Sequence, residues 1–197
     1  MAFDVALNIC NNSLHLVGHE GIVSMQEDSR VGKIARWYYP VAKAAVLRAH
    51  PWNSAIVREM VPQVNFDMMP PEEALLGFKF VYQLPPICLR VLSVDENVKS
   101  YNNIWWKVEG SRLYSMEPIS YVKYIADIDD IKDPMLQEAI TIKLASMLAF
   151  PITGNQQVAQ YFMELYEIRK REAQTVDGQE GRSEVWQNSV LAQARNA

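Results

Sequence analysis

The sequence predicts an α+β protein, mainly α: a four-helix bundle interrupted by an antiparallel β-rich insertion and followed by a polar C-terminal tail. Two observations carry that prediction. Apolar residues recur at helical spacing in four stretches, 3–17, 29–50, 134–150 and 155–173. Between the second and third, over 54–127, the pattern changes to short runs of β-branched and aromatic residues punctuated by Pro and Gly. Chemistry-bearing motifs are missing from this frame, which suggests a part that is assembled rather than an enzyme that turns over.

The first helix places Leu7, Cys10, Leu14 and Val17 on one side, with Asp4 near its start and Gly18 as a stop. Ser29 caps a second helix whose stripe is Val31, Ile34, Ala35, Tyr38, Ala42 and Ala45. Pro40 removes a backbone bond and predicts a kink. That helix should end at His50, since a residue before proline avoids the α region and Pro51 follows.

Strand-like runs come next, at 55–61, 78–82, 88–94, 105–108, 112–114 and 120–125, with 66–73 as a loop. Glu109-Gly110 predicts a hairpin in which Gly110 supplies a positive φ. Five or six short strands predict a compact antiparallel sheet or a small sandwich.

Asp133-Pro134 opens the third helix, with Asp as cap and Pro at the first helical position. Leu136, Ile140, Leu144, Met147 and Leu148 carry it to Phe150-Pro151. The fourth shows Val158, Phe162, Leu165 and Ile168 on one face and ends in a charged run, Glu167 to Glu172. Beyond Ala173 the chain turns polar and Gly-interrupted, with Trp186, Val190 and Leu191 as isolated apolar residues. Residues 1–174 therefore read as one domain. Residues 175–197 read as an extension too polar to fold alone, which would order on docking.

Composition narrows the function classes. A 197-residue chain with 49% hydrophobic residues can bury a core. With 23 acidic against 19 basic residues its net charge is −4, which gives no global field for phosphates and argues against a dedicated nucleic-acid binder. Cys10 and Cys88, each in an apolar run without a CxxC partner, read as buried free thiols. The N-terminal residues lack a signal-peptide pattern, and no stretch reads as a membrane span, so the chain is expected to be made and folded in a cytoplasm.

Motifs for metals, cofactors and catalysis are equally thin. His15 and His19 have helical metal-ligand spacing, yet Gly18 should end the helix between them and no third ligand is marked. Val31-Gly32-Lys33 lacks the upstream glycine of a phosphate-binding loop, and no nucleophile elbow occurs. Asp127, Asp129, Asp130 and Asp133 read as a solvated turn. His50 reads as a cation at a helix C-terminus. No catalytic residue, metal or cofactor is predicted.

Trp105 and Trp106 must point to opposite faces of a strand, one to the core and one to a partner surface. Two other classes remain in view. A glycan hydrolase would use dispersed carboxylates such as Glu72, Glu73, Asp127 or Asp130. A nucleic-acid-binding module would use Trp105, Trp106 and the Arg169-Lys170-Arg171 run.

A series of short motifs, in order, resembles one family. They are Cys10 to Gly18, Ile22 with Asp28-Ser29, His50-Pro51-Trp52-Asn53, Tyr82-Gln83-Leu84-Pro85 and Cys88-Leu89-Arg90-Val91. Trp106, Glu109-Gly110, Leu113-Tyr114, Leu144-Ala145 and Pro151-Ile152-Thr153 follow. Over most of residues 5–173 the chain resembles the tail tubular protein A family of short-tailed bacteriophages and prophages, the head-to-tail adaptor.

The resemblance implies a helical bundle interrupted by a β-rich insertion, in a structural virion protein of the tail or neck that is assembled in the host cytoplasm. It implies a twelve-copy cyclic homo-oligomer beneath the portal protein, joined below to a tail nozzle of the tail tubular protein B kind. DNA would pass through the ring without specific binding. The family pattern carries no catalytic residues. Related adaptors grip the portal with a C-terminal extension, which would make Trp186, Val190 and Leu191 anchors beside the partner-facing Trp105 and Trp106.

Overall fold

The computed structural model describes residues 5–64, 77–94 and 105–180. Trp186, Val190, Leu191, Glu72, Glu73, Asp4 and the loop expected at 66–73 lie outside the described residues.

Four helices are described: α1 (Val5–Leu16), α2 (Arg30–Ala49), α3 (Pro134–Thr153) and α4 (Gln156–Glu180). Their ends follow local chemistry. Ser29 caps α2 by accepting from the Gly32 N–H at 3.0 Å. The pre-proline His50 is extended and closes it, as the sequence predicts. Asp133 caps α3 through the Met135 N–H at 2.8 Å, ahead of Pro134. Gly154, at φ 68°, ends α3 in the left-handed conformation that a side chain disfavours.

Two helix expectations need correction. In α2 the buried residues are Gly32, Ala35, Tyr39, Ala42, Lys43, Val46 and Leu47, while Ala45 of the expected stripe is exposed. Apolar residues at 37–39, 41, 46 and 47 surround this helix, so composition alone did not fix which side turns inward. The fourth helix does not stop near Ala173 but runs to Glu180, because Phe162, Tyr166, Ala173 and Asp177 continue one buried face.

Helix α3 is central and packs against α1, α2 and α4. It is also the one described helix long and apolar enough to cross a membrane, a match the sequence reading did not single out. Half of that span is buried here: Leu136, Ile140, Leu144 and Leu148 sit in one core with Ile9 and Leu14 of α1, Val46 and Leu47 of α2, and Phe162 of α4.

The insertion forms two three-stranded antiparallel sheets. The first has the order β1 (Ile56–Glu59), β6 (Val122–Ala126), β3 (Cys88–Val94). The second has the order β2 (Phe80–Gln83), β5 (Arg112–Ser115), β4 (Trp106–Glu109). Gly110, at φ 59°, turns the β4–β5 hairpin as predicted. The first sheet is a middle layer. Its Ile125, Leu89 and Leu92 pack toward the helices, and its Val122, Tyr124 and Ala126 pack toward Tyr82 and Leu113 of the second sheet.

Strand β3 explains how one strand serves both cores. In Cys88-Leu89-Arg90-Val91-Leu92-Ser93-Val94 apolar residues come in pairs rather than alternating. Register shifts between Cys88 and Arg90 and between Val91 and Ser93 absorb the difference. Each bulge opposes two residues to one and restores the phase. Cys88, Val91 and Val94 thus join the inter-sheet core while Leu89 and Leu92 join the helical one.

Candidate functional site

Where the first sheet ends at β3 and the second at β4, a groove of about 410 Å³ opens between them. Its apolar walls are Leu84, Leu89, Val91, Val108 and the ring of Trp106. Arg48 enters from α2 and Arg90 from the first bulge of β3. Arg48 Nη1 donates to the Leu89 carbonyl at 2.6 Å, which fixes that guanidinium over the bulge. Cys88, half-buried rather than buried as expected from the sequence, also lines the groove, a free thiol whose pKa is pushed up by its partial burial. Its poor ionisation makes it a weak nucleophile.

The two tryptophans divide as the strand geometry predicts. Trp106 begins β4 and packs against the inter-sheet core, whereas Trp105, one residue earlier, is 77% exposed. Other large apolar side chains stand out from the helices: Trp37 and Val41 on α2, Phe150 on α3, Tyr161 and Ile168 on α4.

A second polar constellation joins the helix–strand junction to the end of α4. Asp177, only 5% exposed, takes the His50 Nε2 at 2.9 Å and accepts from the Asn53 backbone N–H at 2.9 Å. Asn53 Nδ2 donates to the Asp177 carbonyl at 2.6 Å. His50 stands edge-on to Trp52, with centroids 4.8 Å apart, and the buried Trp52 donates its indole N–H to the Val46 carbonyl. His50 is thus more than the helix-end cation expected from sequence: it latches α4 to the α2–β1 junction.

A third constellation revises the reading of the aspartate run as simply solvated. Lys43, buried on α2, places its Nζ 2.9 Å from Asp127, 2.6 Å from Asp129 and 3.2 Å from the Ile128 carbonyl. Burial opposes the charge, but the hydrogen bonds that Lys43 donates to Asp127 and Asp129 outweigh it, and the Lys43 pKa rises. The link between β6 and α3 is thereby pinned to α2.

His15 and His19 do not converge. Helix α1 ends at Leu16, Gly18 turns at φ 79°, and the His19 ring meets the Glu20 carbonyl. Among the described residues no three His, Cys, Asp or Glu side chains are grouped to hold a metal. In the basic run, Arg169 pairs with Glu172 and Glu138, and Lys170 pairs with Glu167 while lying over the Tyr166 ring.

Sequence reasoning missed Arg48, Arg90, Lys43 and Asp177. Only Arg90 left a signal, the paired apolar pattern that marks a bulge on either side of a polar residue. The other three find partners tens of residues away. Comparison with family profiles and with curated proteins finds no match to this chain.

Proposed function

We propose that the chain is a structural adaptor subunit, one of twelve in a ring that docks beneath a portal and connects its channel to a tail nozzle. The observation that carries this reading is architectural. A helical bundle is interrupted between its second and third helices by paired antiparallel sheets, the organisation that the resemblance implies for such adaptors.

Surface chemistry is consistent with it. Trp37, Trp105, Phe150 and Tyr161 project large apolar area that a lone subunit leaves in water and a neighbour would cover. A cyclic ring uses a head-to-tail contact that closes on itself. The net charge of −4 suits a conduit that must release DNA, because neutralising phosphates would add salt-sensitive affinity. The test is to mix the purified chain with a portal dodecamer and weigh the product by native mass spectrometry. Twelve added copies are expected; a portal that never takes up the chain refutes the proposal.

A further inference from the structure

Among the described residues β3 has β6 on one side and no strand on the other. Unpaired main-chain groups along such an edge are a template for an added strand. Sheets commonly blunt their edges with irregularity or charge, and β3 carries both, in its two bulges and in Arg48 capping the Leu89 carbonyl. Neither device fills the space beside it. The groove of about 410 Å³ runs there, with Leu89 and Val91 on one wall and Val108 and Trp106 on the other.

Charge narrows what fits. Arg48 and Arg90 both line this groove, and neither meets a carboxylate among the described residues. Their absence of counter-ions stands out in a chain with a net charge of −4. Guanidinium groups on the rim of an apolar-walled cleft are complementary to carboxylates, which they hold by paired, charge-assisted bonds. Phosphates share that preference, but a nucleic acid is held by a run of cations along its backbone, with aromatic stacks where it is single-stranded. This groove holds two cations, and the ring of Trp106, half-buried against the inter-sheet core, forms one wall rather than a stack for successive bases. Aliphatic walls and an open main-chain edge favour a peptide.

We propose that this groove receives an extended, acidic segment of a partner protein. The segment adds as a strand to the free edge of β3, sets alternate apolar side chains against Trp106 and Val108, and places its carboxylates on Arg48 and Arg90. The site does not depend on the adaptor reading; any protein partner with this chemistry satisfies it.

Binding of a fluorescein-labelled peptide that alternates valine with glutamate is measured by anisotropy on the full chain. Three controls accompany it: the same peptide with lysine for glutamate, the same peptide N-methylated at alternate amides, and a labelled oligothymidylate. The expected result is saturable binding of the acidic peptide alone, weakened at least ~10-fold by Arg90→Glu and by the wall variant Val108→Glu, each checked for native circular dichroism. Val108 is surface-accessible, so its variant keeps the test decisive if Arg90→Glu does not fold. The proposal is overturned by absence of binding up to ~1 mM peptide. It is equally overturned if the lysine or N-methylated peptide binds as well, if both variants leave affinity unchanged, or if the oligothymidylate binds and the peptide does not.

Discussion

Replacing Asp177 with alanine should destabilise the fold far more than its position in a polar stretch suggests. The carboxylate is almost fully buried and takes two bonds at 2.9 Å, from His50 Nε2 and from the Asn53 backbone N–H. Truncation leaves both groups without an acceptor, and each unmatched polar group costs ~1–3 kcal/mol. The His50 side chain keeps about a fifth of its surface in water, so its part is discounted, and a total of ~2–3 kcal/mol is expected. With a urea m-value of ~2 kcal/mol/M, the unfolding midpoint should fall by ~1 M at unchanged m. Asp177→Asn keeps an oxygen for the Asn53 N–H and loses only the charge facing His50, so it should cost ~1 kcal/mol. In the alanine variant, amides of the last turn of α4 should exchange faster while those of α3 keep their protection. A variant that unfolds within ~0.5 kcal/mol of the parent would show that the latch contributes nothing and that the reasoning from burial is wrong.

Lys43→Met keeps the buried stem and removes the ammonium; Asp129 stays in water at 96% side-chain exposure, but the buried Oδ1 of Asp127 loses its cation. It should therefore cost ~1–3 kcal/mol in urea at neutral pH, and a neutral result would contradict this. Stability should fall as pH rises above about 10. Lys43 has its pKa raised in the fold, and burial pushes the Tyr166 phenol up to about 12 and Tyr124 further, with help from the Glu59 carboxylate. Each group thus holds its proton more tightly folded than unfolded, and its contribution is complete below the unfolded pKa and lost above it. Lys143, held low by burial, gives a smaller opposite trend, and a midpoint that stays flat or climbs between pH 10 and 12 would contradict the net sign. Trp52→Phe keeps a ring against His50 but loses the indole bond to the Val46 carbonyl and leaves space in the core, and should cost ~1–3 kcal/mol in the same urea assay; a neutral result would mean that this bond is dispensable.

Much of the frame could be read before the structure, because local chemistry wrote it. Ser29, Pro51, Asp133 and Gly154 mark helix ends by capping and by the conformations that proline and glycine allow. Gly110 marks its hairpin for the same reason. What could not be read depends on distant pairing. Nothing in a strand's own residues says that β1 and β3 flank β6, which starts 28 positions after β3 ends, with β4 and β5 of the second sheet in between. Asp177 and Lys43 look like solvent-facing residues by type, and only His50, Asn53 and the aspartates that meet them reveal otherwise. The groove was half legible: Trp106 was singled out as one of a pair with a partner-facing role, whereas Arg48 comes from a helix forty residues before β3 and gives no pattern of its own.

Electron microscopy of the chain bound to its cognate portal tests the adaptor proposal most directly. A twelve-fold collar of this fold on the narrow end of the portal, with the channel continuing through its centre, is the predicted image. Bare portals beside free subunits, at concentrations where both are folded, would contradict it.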